Sequence, residues 1–183
     1  LLAFFRLPLD NQAPRRIPSR CATFLNVAID SAEKTMPVPT EEEWGDYQAD
    51  VDQKYAHDLF AGHTNEEMQP HFYRNVIERT DELRWMPEVP FRYYMLGFRD
   101  FVLAGKFSDL WNSDAASCFL GLVEEKLKSH PGCILPIMPE LPPAIRHVGQ
   151  NQTSFDADEE VYGKFKEKLD QIEALYSRCR NGS

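Results

Sequence analysis

The segment "FRYYMLGFRDFVLAG", Phe91 to Gly105, is apolar on nearly every side and is interrupted mainly by Arg92, Arg99 and Asp100. A helix that is hydrophobic all round has no face to give to water, so other helices must surround it. Its two arginines then require carboxylate or carbonyl partners, because an unpaired buried charge is costly. Working outward, helical periods recur on both sides. The sequence therefore reads as an all-α domain of five to seven helices around 91–105, and 183 residues with 43% hydrophobic content suffice for one such core without needing a second.

Upstream, residues 1–18 carry Pro8, Pro14 and Pro18 without a sustained period and read as an N-terminal arm, with the helical body spanning 19–183. Cys21, Phe24, Leu25, Ala28, Ile29 and Ala32 recur at helical spacing behind Ser19 and predict a first helix. Thr40 with Glu43 forms a capping-box pattern for a second, whose apolar stripe would be Trp44, Tyr47, Val51, Tyr55 and Leu59, ending at Gly62. A third is expected from near Pro70 to about Trp85, with Pro87 and Pro90 separating it from the central segment.

Downstream, Ser113 or Asp114 is placed to cap a helix through Ala115, Phe119, Leu122 and Val123, closing at the His130–Gly132 turn. In "CILPIMPELPPAI", 133–145, four prolines argue against a regular helix and a central strand, which predicts an extended apolar strap laid over the core. The last helix would start at Asp156, with Glu159 completing a capping box, and bury Val161, Phe165, Leu169, Ile172 and Tyr176.

Charge narrows the function. Twenty-nine acidic against twenty basic side chains give a net charge of −9, which disfavours phosphate backbones and anionic membranes, both of which need clustered Lys and Arg. No nucleic-acid or membrane partner is expected. Scattered Cys21, Cys118, Cys133 and Cys179 read as reduced thiols, and the chain as a soluble cytoplasmic protein. Chemistry-bearing patterns are sparse. Glycine-rich phosphate cradles and a serine elbow are absent from the sequence, and Cys118 and Cys133, with His130 and His147 as possible bases, lack a nucleophile's surrounding motif. Asp156, Asp158, Glu160 and Glu167 match four positions of a calcium loop, but Val161 stands where that loop needs Gly.

The acidity is local: residues 35–90 hold thirteen acids and four bases. Along the expected second helix Glu42, Asp46 and Asp50 recur every four residues with Glu43 alongside, a pattern suited to docking a basic protein surface. The sequence thus predicts a non-catalytic, acidic protein-binding module, of inhibitor, adaptor or immunity type, with no cofactor. Two alternatives are a metal-dependent enzyme or metal-binding protein using His57, His63 and His71, and a small-ligand pocket beside Tyr93, Tyr94 and Arg99.

Overall fold

The computed structural model describes residues 36–107 and 112–181, and every one of these is in a helix, a turn or a connecting segment, with no strand among them. Contacts divide the chain into 1–34 and 35–183, and the described residues belong to the second unit. The expected arm at 1–18 and the helix expected behind Ser19 lie outside the described residues.

The central segment behaves as its composition demands. Helix α5 (Glu88–Ala104) buries Phe91, Tyr93, Tyr94, Met95, Leu96, Phe98, Phe101 and Val102. It is enclosed by α1 (Glu41–Trp44), α3 (Asn65–Arg74), α4 (Val76–Trp85), α6 (Asn112–Ser129), α7 (Pro131–Ile134) and α8 (Pro142–Gln150). Pro90 falls within its first turn, where a backbone N–H has no helical partner, so the helix starts three residues earlier than the proline suggested. Both arginines find the partners that burial requires. Arg92 donates to the carbonyls of Cys133 (3.0 Å) and Gly132 (2.9 Å) and pairs with Glu88, while Arg99 pairs with Asp100 and Glu140.

Two expected helices are broken by glycine. Thr40 N–H donates to Glu43 as the capping pattern requires (2.8 Å), but α1 ends after one turn because Gly45 takes φ 62°, a conformation hostile to L side chains. The chain restarts through a 3₁₀ turn, Tyr47–Ala49, and Asp50 caps α2 (Val51–Phe60) by accepting from the N–H groups of Asp52 (2.9 Å) and Gln53 (3.1 Å). This new phase buries Ala56 and Phe60 and turns Val51 and Tyr55 outward, at 70% and 66% exposure, while Trp44 of the expected stripe is buried and Tyr47 and Leu59 pack partly against the core. At the C-terminal end Gly163 (φ 71°) separates a short α9 (Glu159–Tyr162) from α10 (Phe165–Asn181). The cap of α9 is Asp158 rather than Asp156, and Val161 is exposed, whereas Phe165, Leu169 and Ile172 are buried as predicted.

The helix expected from Pro70 to Trp85 is two. Thr64 and Glu67 form a reciprocal capping box that starts α3 (Thr64 N–H to Glu67, 2.8 Å; Glu67 N–H to Thr64 Oγ1, 3.2 Å), with Pro70 in its interior. Extended Asn75 then stops α3 and caps α4. Helix α6 already includes Ser113 and Asp114, so neither is its cap.

The proline-rich segment is not an extended strap. It is a staircase of short helices: α7, a 3₁₀ turn over Leu135–Glu140, and α8. Pro131, Pro136, Pro142 and Pro143 each sit at the first or second position of an element, where a missing N–H costs nothing. Cys133, Ile134, Ile137, Met138, Leu141, Ala144, Ile145 and Val148, spaced three and four apart, are all buried, so the segment does cover the core. Helix α10 closes the other side against α6 and α8.

Candidate functional site

The acidic residues singled out by the sequence do not form a helical stripe. Glu42 and Glu43 stand on α1, Asp46 lies beyond the Gly45 break, and Asp50 is occupied as the cap of α2. All four are exposed, and Glu43 also serves α1 by accepting from Thr40. They remain an acidic edge, but the spacing of i, i+4 and i+8 on one face is gone because the helix that would carry it is interrupted.

The histidines have individual roles. His57 stacks on Tyr47 with ring centroids 3.6 Å apart, meets the Trp44 ring edge-on, and its Nε2 lies 2.9 Å from Glu41. Hydrogen bonding from His57 and Tyr47 holds the Glu41 carboxyl below the usual carboxylate range. His63 is exposed and its carbonyl accepts from the Tyr94 hydroxyl at 3.0 Å. Half-buried His71 is pulled below the ordinary imidazole value by burial and by Arg79 and Arg74. Among the described residues no group of three or more His, Cys, Asp or Glu side chains is arranged to hold a metal ion. That leaves the metal reading without a site there.

The small-ligand reading also meets a structural explanation. Tyr93 and Tyr94 are core residues: the Tyr93 hydroxyl accepts from Asn65 N–H at 3.3 Å, and burial pushes the Tyr94 phenol well up. Cys118 and Cys133 are thiols whose burial raises them, the opposite of what activates a nucleophile.

A surface that the sequence reading did not isolate lies between α2 and α4. It is a groove of about 340 Å³ whose walls include Asp52, Tyr55, Ile77, Asp81, Glu82 and Trp85. Tyr55, Ile77 and Trp85 are 66%, 46% and 46% exposed, so three large apolar side chains share one depression. Its rim also carries Glu78, and its only positive wall residue is Arg84. The cations here are already engaged: Arg79 pairs with Glu78 and Glu82, and Arg84 pairs with Asp81 and with Glu125 at 2.9 Å. Four carboxylates line the groove, Asp52, Glu78, Asp81 and Glu82, so that with Arg79 and Arg84 both counted against them the local excess is two negative charges. Burial keeps the Glu82 carboxyl above the usual range in spite of Arg79.

The groove arises from local sequence choices. Asp50 fixes the start of α2 and thereby points Tyr55 away from the core, while Asn75 resets α4 so that Val76, Thr80 and Leu83 go inward and Ile77, Asp81 and Trp85 outward. The signal that could have located it is the Asp50 cap itself, with Ala56 and Phe60 four residues apart behind it.

Beneath the far side of Trp85 a second cavity, about 440 Å³, is walled in part by Met86, Pro87, Lys126, His130 and Cys133. Lys126 is only 5% exposed; its amine donates to the Arg84 carbonyl at 2.7 Å and sits 4.7 Å from the Phe91 ring centroid. Burial pulls it below the ordinary lysine value. Its bond satisfies a carbonyl at the end of α4, and so it braces the helix end that presents Trp85.

Compared with known proteins, the chain matches no family model, no curated protein and no solved structure. Among the described residues no helix is long and apolar enough to cross a membrane.

Proposed function

We propose that this protein is a non-catalytic, acidic protein-binding module that docks a basic partner surface. The observation that carries the reading is the α2–α4 groove, where Tyr55, Ile77 and Trp85 are exposed together inside a ring of excess negative charge. An apolar centre with a charged rim is the anatomy of a protein interface: the rings supply the binding energy on desolvation, and the carboxylates steer and select a partner of opposite sign. The acidic edge of Glu42, Glu43, Asp46 and Asp50 extends the same field. An inhibitor, adaptor or immunity-type role fits this chemistry.

The test is quantitative affinity capture with two charge-reversed variants, Asp52→Lys with Glu78→Lys in the groove and Glu42→Lys with Asp46→Lys on the edge. Asp50 is left intact because it caps α2. The expected result is a basic partner whose capture falls with the groove reversal, falls less with the edge reversal, and weakens as salt rises. A set of captured proteins unchanged by both reversals would overturn the reading.

A further inference from the structure

We infer that the α2–α4 groove is a seat for an arginine side chain of the partner, with the guanidinium plane laid on the exposed Tyr55 and Trp85 rings and its N–H donors directed to the carboxylates of the rim. This rests on the docking reading and names the chemistry of its central contact. Several observations converge on it. Both rings line one groove and both keep roughly half or more of their surface in water, at 66% and 46% exposure, so their faces are available. Ile77 adds an aliphatic wall for the methylene stem of a long side chain, which buries its chain while its head group stays polar.

Charge complementarity selects a cation, because the local excess is negative even after Arg79 and Arg84 are counted. Asp52 stands on the opposite wall from Asp81 and Glu78, so an entering head group meets carboxylates from both helices. Glu82, kept above the ordinary carboxylate range by burial, gains a compensating charge when a cation enters.

Arginine fits this combination better than lysine. Its guanidinium is planar and weakly hydrated, stacks on aromatic faces, and presents paired donors that match a carboxylate, whereas an ammonium is a compact and strongly hydrated point charge. The protein already uses the same contact internally, with the Arg180 guanidinium 5.8 Å from the Tyr176 ring centroid.

The experiment uses the full chain and two labelled, acetylated and amidated octapeptides of equal charge, one alternating Arg with Gly and the other Lys with Gly. Binding is followed by fluorescence anisotropy at about 0.15 M salt, and the indole N–H of Trp85 is followed by NMR. The Arg peptide should bind about fivefold more tightly than the Lys peptide, in line with a stacked cation, and should shift the Trp85 resonance. Trp85→Ala and Tyr55→Ala, both at exposed positions, should each bring the Arg peptide down to the Lys level. Asp52→Asn should weaken both peptides. Thermal melts confirm that each variant is folded.

Equal binding of the two peptides, or an Arg preference that survives both ring substitutions, overturns the arginine seat while leaving the acidic docking reading intact. Failure of both peptides to bind overturns the arginine seat, and combined with a capture set unmoved by charge reversal it removes the docking reading as well. Concentration-dependent self-association that buries Trp85 in sedimentation experiments would assign the groove to a second copy of the chain instead, and so would also overturn the proposal.

Discussion

The same substitution, Gly→Ala, should have opposite signs at two helical positions of this protein. Gly149 lies in the last turn of α8, where α10 approaches so closely that an added Cβ would fall 2.7 Å from Leu169 Cβ and 3.0 Å from Leu169 Cδ2. Leu169 is itself buried, at 2% exposure. Carbon atoms in contact sit at about 3.5–4.0 Å, so the two helices must separate by roughly an ångström or distort. Overpacking of this kind costs about 1–3 kcal/mol, and the better helix propensity of alanine returns at most about 1 kcal/mol near a helix end. Gly149→Ala should therefore destabilise by about 1–2 kcal/mol, which for a chain of this size lowers Tm by roughly 2–8 °C. Gly121, in the interior of α6, has nothing within 4 Å of the position a Cβ would take, so Gly121→Ala should stabilise by about 0.5–1 kcal/mol. Urea unfolding of both variants reads the two signs. Leu169→Ala deletes the Cδ2 and Cγ that an added Cβ would meet but keeps the Cβ at 2.7 Å, so it should relieve Gly149→Ala only in part. A stabilised Gly149→Ala protein, or a destabilisation that Leu169→Ala relieves completely, would refute the packing of α8 on α10 described above.

Three further outcomes follow from particular contacts. Replacing Arg92 with Met removes its bonds to the Gly132 and Cys133 carbonyls and should cost about 2–3 kcal/mol in a urea melt, with Arg92→Lys recovering only part because an ammonium cannot serve both carbonyls and Glu88 as the fork does. Gln152 binds the carbonyls of Ala157 and Gly163 and accepts from Phe165 N–H at the start of α10, so Gln152→Ala should cost about 2 kcal/mol and speed hydrogen exchange in the first turn of α10. Lys126 has a folded-state pKa below its ordinary 10.5, so between those two values the unfolded chain binds more protons than the native one and stability from this group rises with pH. Subtracting Lys126→Met from the parent protein should show that rise as pH climbs toward the ordinary lysine value of 10.5, and a difference that is flat with pH would contradict the burial of the amine.

How much of this was readable beforehand depends on what each signal is made of. The all-α class, the central position of α5 and the covering role of residues 133–145 follow from where apolar side chains recur, and burial enforces that pattern directly. The need of Arg92 and Arg99 for partners was likewise a matter of composition. Phase was harder. Gly45 and Gly163 look like ordinary interruptions in a periodic stretch, yet each takes a positive φ that ends one short helix before the next begins. The break at Gly45 and the restart at Asp50 turned Val51 and Tyr55 from expected core into surface and dissolved the Glu42–Asp46–Asp50 stripe, whereas the break at Gly163 left Val161 exposed on the separate α9 while Phe165, Leu169 and Ile172 beyond it kept their expected face. The prolines misled for a related reason: whether one breaks a helix or opens the next depends on its place in the turn, and the spacing of Ile134, Ile137, Met138, Leu141 and Ile145 was the better guide. The groove escaped because it needs two such phases at once, set by Asp50 for α2 and by Asn75 for α4.

The aromatic side chains of the core form a connected chain of ring contacts. Trp44 touches Tyr94, Tyr94 touches Phe60, Phe60 touches Phe72, and Phe72 stacks on both Phe98 and Phe101, from which contacts continue through Phe107 to Phe155 and His147. Residues from α1, α2, α3, α5 and α8 therefore share one lattice of rings, and none can loosen without opening contacts in the next. Such a lattice ties local fluctuations to the global unfolding event, so the slowest-exchanging amides of these helices should open together rather than in separate subdomains. For the α2–α4 groove, this means that the α2 wall is anchored to the core through Phe60, while Tyr55 on its outer face is outside the lattice.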